Sequence, residues 1–333
     1  MKSKLIFSSH YDFGIMGLEK LHPFDAKKFS KAWSLLLNEF GDEISALSTI
    51  VTTPATNEAL EIVHSREYLT SLQQSKTIAS VVEIPALRFI PGFVLQKGLV
   101  DSARYATAGT LLATRQALES SIVFNIGGGF HHAFSDHGEG FCFFADAAFA
   151  LETLRAERKI SPTDKVLMID LDAHRGNGFT SFYENDKSVS IFDLYNMQVY
   201  PGLKQGEPDD FPFIIPLRAG LNSDEYLKTL KTELPLFLDS NPHPTLAFYN
   251  AGTDIVATDK LGALSVSYDA VKERDRFVVD LLREKNIPTV IMTSGGYSND
   301  SYKLIADLAS YLIRTSACGI FNNYCHNALI GTA

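Results

Sequence analysis

The chain has 333 residues, 45% of them apolar and 21% charged, which is ordinary for a globular protein and excludes a disordered or low-complexity one. Against 39 acidic residues it carries 30 basic ones, a formal net charge of −9, so direct binding of nucleic acid is not expected. Three cysteines without a CxxC pair exclude a disulfide scaffold and favour a reducing compartment. The spacing of Cys318, Cys325 and His326 matches no metal-ligand frame. The first residues, MKSKLIFSSHYD, are too poor in apolar residues for a secretory signal. No apolar run reaches the roughly 18 residues of a membrane span. These readings predict a soluble intracellular protein, cytoplasmic by default, with nuclear or host-delivered locations left open. They do not give the oligomeric state.

In chain order, the runs Leu5–Phe7, Ile122–Ile126, Val166–Ile169, Val189–Phe192, Phe213–Ile215, Leu246–Tyr249 and Thr289–Met292 read as strands. Several are apolar on both faces, as buried parallel strands are. Helical patterns cover Ala26–Phe40, Asp101–Leu118, Ala145–Arg158, Asp224–Leu238, Tyr268–Lys285 and Ser301–Arg314. Alternating strands and helices predict an α/β fold: one domain with a mostly parallel central sheet and helices on both faces.

Four of these strands run into polar or glycine-rich segments. Ile122–Ile126 leads to Gly127, Gly128, Gly129, Phe130, His131 and His132. Val166–Ile169 leads to Asp170, Asp172 and His174, Leu246–Tyr249 to Asn250 and Asp254, and Thr289–Met292 to Gly295, Gly296 and Tyr297. Ligands of an open parallel sheet bind beyond the carboxyl ends of its strands, so these segments are expected to face one cleft. Asp170, Asp172 and His174 share a side if the segment is extended. With Asp254, Asp172 and His174 offer an oxygen–nitrogen set suited to a catalytic divalent metal, leaving Asp170 an outer role. The plainer alternative is that Asp170 caps the next segment and His174 is an ordinary loop residue. His131 and His132 suit proton transfer beside a metal, or are simply loop histidines. Tyr297 suits an oxyanion donor, or is a packed ring after a turn.

The motifs GGGFHHA, GFCFFADAAFA, DLDAHRGNG, NAGTDIVATDKLGALSVS and TSGGY resemble the zinc-dependent histone deacetylase family, over roughly residues 10 to 314. MGLEKLHPFDAKKF and the NAGTD form are similar to its class IV branch. The resemblance implies an arginase–deacetylase fold, with a catalytic domain over 1–314 and a tail of unknown role over 315–333. It implies one zinc ion per chain on Asp172, His174 and Asp254, tandem histidines at His131 and His132, a transition-state tyrosine at Tyr297, and Asp170 orienting His131. Asn177 falls where some classes place a carboxylate that orients the second histidine. The acyl-lysine tunnel falls on Gly129, Phe141, Tyr200 and Gly296, with Leu261 at its rim. Ile191 replaces a serine used by some members for a monovalent cation, which leaves potassium open.

The resemblance implies hydrolysis of acyl groups, long-chain fatty acyl preferred over acetyl, from lysine side chains of a protein or peptide partner. Three rivals stand beside it. A manganese ureohydrolase needs a DxDxxD cluster that NAGTD lacks. A deacetylase of acetylpolyamines or another small molecule would use the same residues. An inactive acyl-lysine-binding scaffold would usually have lost one of the six metal, histidine and tyrosine positions.

Overall fold

The computed structural model describes residues 4–14, 25–202 and 212–318. Eight strands form one sheet: β1 (Leu5–Phe7), β2 (Ser48–Ile50), β3 (Ile122–Asn125), β4 (Val166–Asp170), β5 (Val189–Asn196), β6 (Ile214–Leu217), β7 (Leu246–Asn250) and β8 (Thr289–Met292). Their order is β2-β1-β3-β8-β7-β4-β5-β6, and every neighbouring pair is parallel. The four strands with marked ends, β3, β8, β7 and β4, are therefore adjacent at the centre. Their last residues are level, since Asn125 pairs with Met292, Met292 with Asn250, and Asn250 with Asp170. Four loops thus leave the sheet side by side at one height.

The central strands are buried along their whole length, because helices cover both faces of a parallel sheet. Helix Asp101–Ser120 packs on Asp146–Ala156 and on β3 and β8, while Lys28–Phe40 packs on Ser301–Cys318, which also meets Tyr268–Glu284. Strand β2 escapes the sequence reading: it is a short edge strand with a half-exposed pattern and a Ser-Thr start, so it lacks the two-sided apolar signal. The apolar stretch Val81–Val100 folds as short helical turns, Pro85–Phe89, Gly92–Leu95 and Gln96–Val100. The last helix passes the expected Arg314 and runs to Cys318. The rest of the 315–333 tail, with Cys325 and His326, lies outside the described residues.

Candidate active site

Strand β4 ends at Asp170, so the extended continuation expected through Asp172 and His174 does not form. The chain bends instead, with the Asp172 amide donating to Asp170 Oδ1 at 3.2 Å and the His174 amide to Asp172 Oδ1 at 2.9 Å. The bend separates two tasks. Asp170 turns towards His131, whereas Asp172 and His174 turn towards Asp254, from the loop after β7. His174 Nδ1 lies 3.0 Å from Asp172 Oδ1 and 2.9 Å from Asp254 Oδ2. One ligand atom from each of the three residues falls within 4.8 Å of the others, and all three residues are buried.

The remaining carboxylate oxygens have fixed donors. Asp172 Oδ2 accepts from the Gly295 amide at 2.7 Å and the Ser294 hydroxyl at 2.9 Å, and Asp254 Oδ1 from the Ala173 amide at 2.9 Å. Burial and the neighbouring Asp172 push Asp254 up to about 7. Burial lowers His174, but Asp172 and Asp254 more than offset it and hold the ring well above its usual value. Two touching buried carboxylates need positive charge between them. A proton on His174 meets that need in part, and a divalent cation with nitrogen and oxygen donors meets it better. The donor set therefore fits a metal ion.

His131 and His132 follow the β3 loop through a tight glycine turn. Gly129 has φ +84, and a Cβ there would lie 2.6 Å from Asn250 Oδ1 and 2.7 Å from the Ser294 amide nitrogen. Only glycine lets the β3 and β8 loops approach this closely. His131 Nδ1 donates to Asp170 Oδ2 at 2.8 Å. Burial lowers this imidazole, but Asp170 and Asp172 outweigh it and raise it to about 9. His132 Nδ1 meets Asn177 Oδ1, at the start of helix Asn177–Tyr183, at 2.6 Å. Burial, then the positive neighbours His131 and His174, hold His132 well below its usual value. The adjacent imidazoles, with centroids 4.1 Å apart, are thus driven in opposite directions, one charged and one neutral near pH 7.

Tyr297 stands across from this pair, its ring centroid 6.1 Å from His174 and 6.2 Å from Phe141. Burial, then the nearby carboxylates, raise its hydroxyl well above the usual value, so it remains a proton donor. Two residues that the sequence reading missed hold its loop. Asp259 accepts from the Tyr297 amide at 2.6 Å. The fully buried Lys28 donates to the Ser294 carbonyl at 2.9 Å and lies 3.4 Å from that of Gly296. Burial lowers Lys28 to about 8, against the opposing pull of Asp254 and Asp172. Below the site, the fully buried Arg274 donates to the carbonyls of Leu171 at 3.1 Å and Gly252 at 2.6 Å. It ties together the two loops that carry Asp172 and Asp254. Among the buried residues of its helix only Arg274 and Asp275 are charged, the one local sign of this role.

Gly129, His131, His132, Phe141, Asp172 and Tyr297 line one pocket, and His174 and Asp254 lie within ligand distance of Asp172 but not in its walls. Phe141 reaches it with φ +66, a conformation rare for a bulky side chain and typical of functional positions. Tyr200 packs edge-on against His132, centroids 5.2 Å apart, and is 38% exposed. Leu261 donates its amide to Asp259 and, like Tyr200 and Gly296, is not among the residues that line this pocket.

The comparisons with known proteins agree with this architecture. The histone deacetylase domain model matches residues 22–312. Histone deacetylase 2 of Arabidopsis thaliana is 39% identical over 316 residues, covering 94% of this chain and 79% of that protein. The acetoin utilization protein AcuC of Bacillus subtilis is 29% identical over 311 residues, covering 85% and 74%. A crystal structure of a histone deacetylase homologue from Aquifex aeolicus superposes with a TM-score of 0.71 at 22% identity, over 94% of this chain and 84% of that one. The HD domain of HDA15 also superposes at 0.71, with 18% identity and 94% and 89% coverage. The chain belongs to the histone deacetylase family of hydrolases.

Proposed function

We propose that this protein is a zinc-dependent lysine deacylase of the class IV type, hydrolysing the amide between an acyl group and the ε-amine of lysine. The observation that carries the proposal is a three-residue metal set whose Asp172 lines one pocket together with a charged imidazole, a neutral imidazole and a tyrosine. Asp172, His174 and Asp254 would hold the ion. Zinc, when bound, supplies a Lewis acid that polarises the acyl carbonyl and lowers the pKa of water. Neutral His132 takes a proton from the attacking water and returns it to the leaving lysine amine, a role worth roughly 10²–10⁴ in rate. His131, kept charged by Asp170, adds positive potential where negative charge develops. The Tyr297 hydroxyl donates to the tetrahedral oxyanion. Gly129, Phe141, Tyr200 and Gly296 form the passage for the acyl-lysine stem.

Long-chain fatty acyl is the proposed preferred group, on the resemblance to class IV enzymes alone; Gly127, Gly128 and Gly129 are packed against Tyr11, Thr110 and Asn250 and open no room for a chain. The test compares one lysine peptide carrying acetyl or myristoyl, with zinc-loaded enzyme. Faster myristoyl release supports the full proposal. Faster acetyl release overturns the chain preference. Release from acetylpolyamine but from neither peptide overturns the protein-lysine substrate.

A further inference from the structure

Asn177 leaves one question open. A carboxamide can present either its oxygen or its nitrogen to His132, and the choice decides which imidazole nitrogen bears the proton. An oxygen facing Nδ1 demands an Nδ1 proton and leaves the Nε2 lone pair free. A nitrogen facing Nδ1 demands the reverse and disables Nε2 as a base.

The structure resolves this ambiguity outside the tandem histidines. Asn177 Nδ2 donates to Glu139 Oε1 at 2.7 Å, while Asn177 Oδ1 faces His132 Nδ1 at 2.6 Å. An ionised carboxylate only accepts hydrogen bonds, so Glu139 fixes the amide nitrogen on its own side. Glu139 is itself held. It begins a tight turn in which the Cys142 amide donates to its carbonyl at 2.8 Å. Its carboxylate also takes the Tyr200 hydroxyl. The turn lies against the ring it controls, because a Cβ on Gly140 would come 2.5 Å from His132 Cδ2.

We propose that Glu139 is a positioning residue that sets the tautomer of His132 through Asn177. The chain of bonds runs one way only: His132 Nδ1–H to Asn177 Oδ1, and Asn177 Nδ2–H to Glu139. Where a carboxylate next to the histidine would fix the tautomer directly but add charge, this relay fixes it with a neutral partner. The relay's importance for turnover rests on the deacylase reading; the tautomer assignment does not.

The test uses metal-loaded enzyme labelled with 15N-histidine, and reads the ring nitrogens of His132 by NMR at about pH 8, with assignment by loss of the signal in His132→Ala. Wild type shows the Nδ1–H form alone. In Glu139→Gln the new amide either donates or accepts, so the relay runs in both directions and both tautomers appear. Glu139→Ala frees the Asn177 amide with the same result. On an acyl-lysine peptide kcat falls in proportion to the Nδ1–H population lost, about twofold for an even mixture. KM stays within about twofold, and melting temperature and metal content are kept. A pure Nδ1–H form in both variants overturns the proposal, as does a fall in kcat with no change of tautomer. A wild type inert towards every acyl-lysine peptide refutes the deacylase reading, and the NMR result then decides the role of Glu139 by itself.

Discussion

Replacing Asn177 by Asp tests how the protein keeps its proposed base neutral. His132 is held low first by burial and then by the positive charge of His131, and its Nδ1 partner is a neutral amide. A carboxylate in that place favours the imidazolium and raises a histidine pKa by about 1–3. The base works in its neutral form, so a higher pKa moves the acid limb of kcat/KM to higher pH. Glu139 limits the effect. Its Oε1 is 2.7 Å from Asn177 Nδ2, so Asn177→Asp brings two carboxylates together, and such a pair tends to share one proton. The single variant should therefore move the limb up by only about one pH unit, near the lower end of that range. Adding Glu139→Gln removes the second charge and supplies a donor, and the limb should rise by about two pH units. The assay is kcat/KM on an acyl-lysine peptide from about pH 5 to 9, where an unperturbed histidine base titrates in the lower half. An unmoved limb in the double variant, or a shift to lower pH, would refute the reasoning.

Four further outcomes follow from particular contacts. Tyr297→Phe removes the oxyanion donor and should lower kcat by about 10²–10³, with metal content unchanged; near wild-type turnover would remove Tyr297 from the mechanism. Arg274→Ala leaves Asp275 buried without its cation and two loop carbonyls without a donor. Denaturant titration should show a loss of about 3–5 kcal/mol, and a loss below about 1 kcal/mol would mean that the buried arginine is dispensable. Gly129→Ala forces a left-handed backbone and a clash with Asn250. It should cost at least about 1–3 kcal/mol from the backbone alone, which a melting temperature equal to wild type would contradict. Chelation should lower the melting temperature, because it takes the cation from two touching buried carboxylates; an unchanged midpoint would argue against a resident metal.

The sequence made the centre of this molecule legible and its supports illegible. The strands β3, β4, β7 and β8 are apolar on both faces, and each leads directly into residues whose chemistry is unusual for a loop. That local signal was enough to bring Asp172, His174, Asp254, His131, His132 and Tyr297 to one place. The bend after Asp170 was missed because it is set by side-chain-to-backbone bonds, Asp170 to the Asp172 amide and Asp172 to the His174 amide, which no periodicity reports. Edge strand β2 was missed because a half-exposed Ser-Thr-Ile run resembles a loop. Lys28, Glu139, Asp259 and Arg274 act across sequence separations from 22 to 268 residues. In one dimension they are ordinary charges on helices and turns. Only folding shows that each faces an amide or carbonyl of the site.

The most direct test of the central claim is a zinc titration of chelator-treated enzyme, following acyl release from a lysine peptide. The account predicts no release without metal and full recovery at one equivalent of zinc per chain. Release that persists in the chelated protein, or recovery that requires two equivalents, would contradict it.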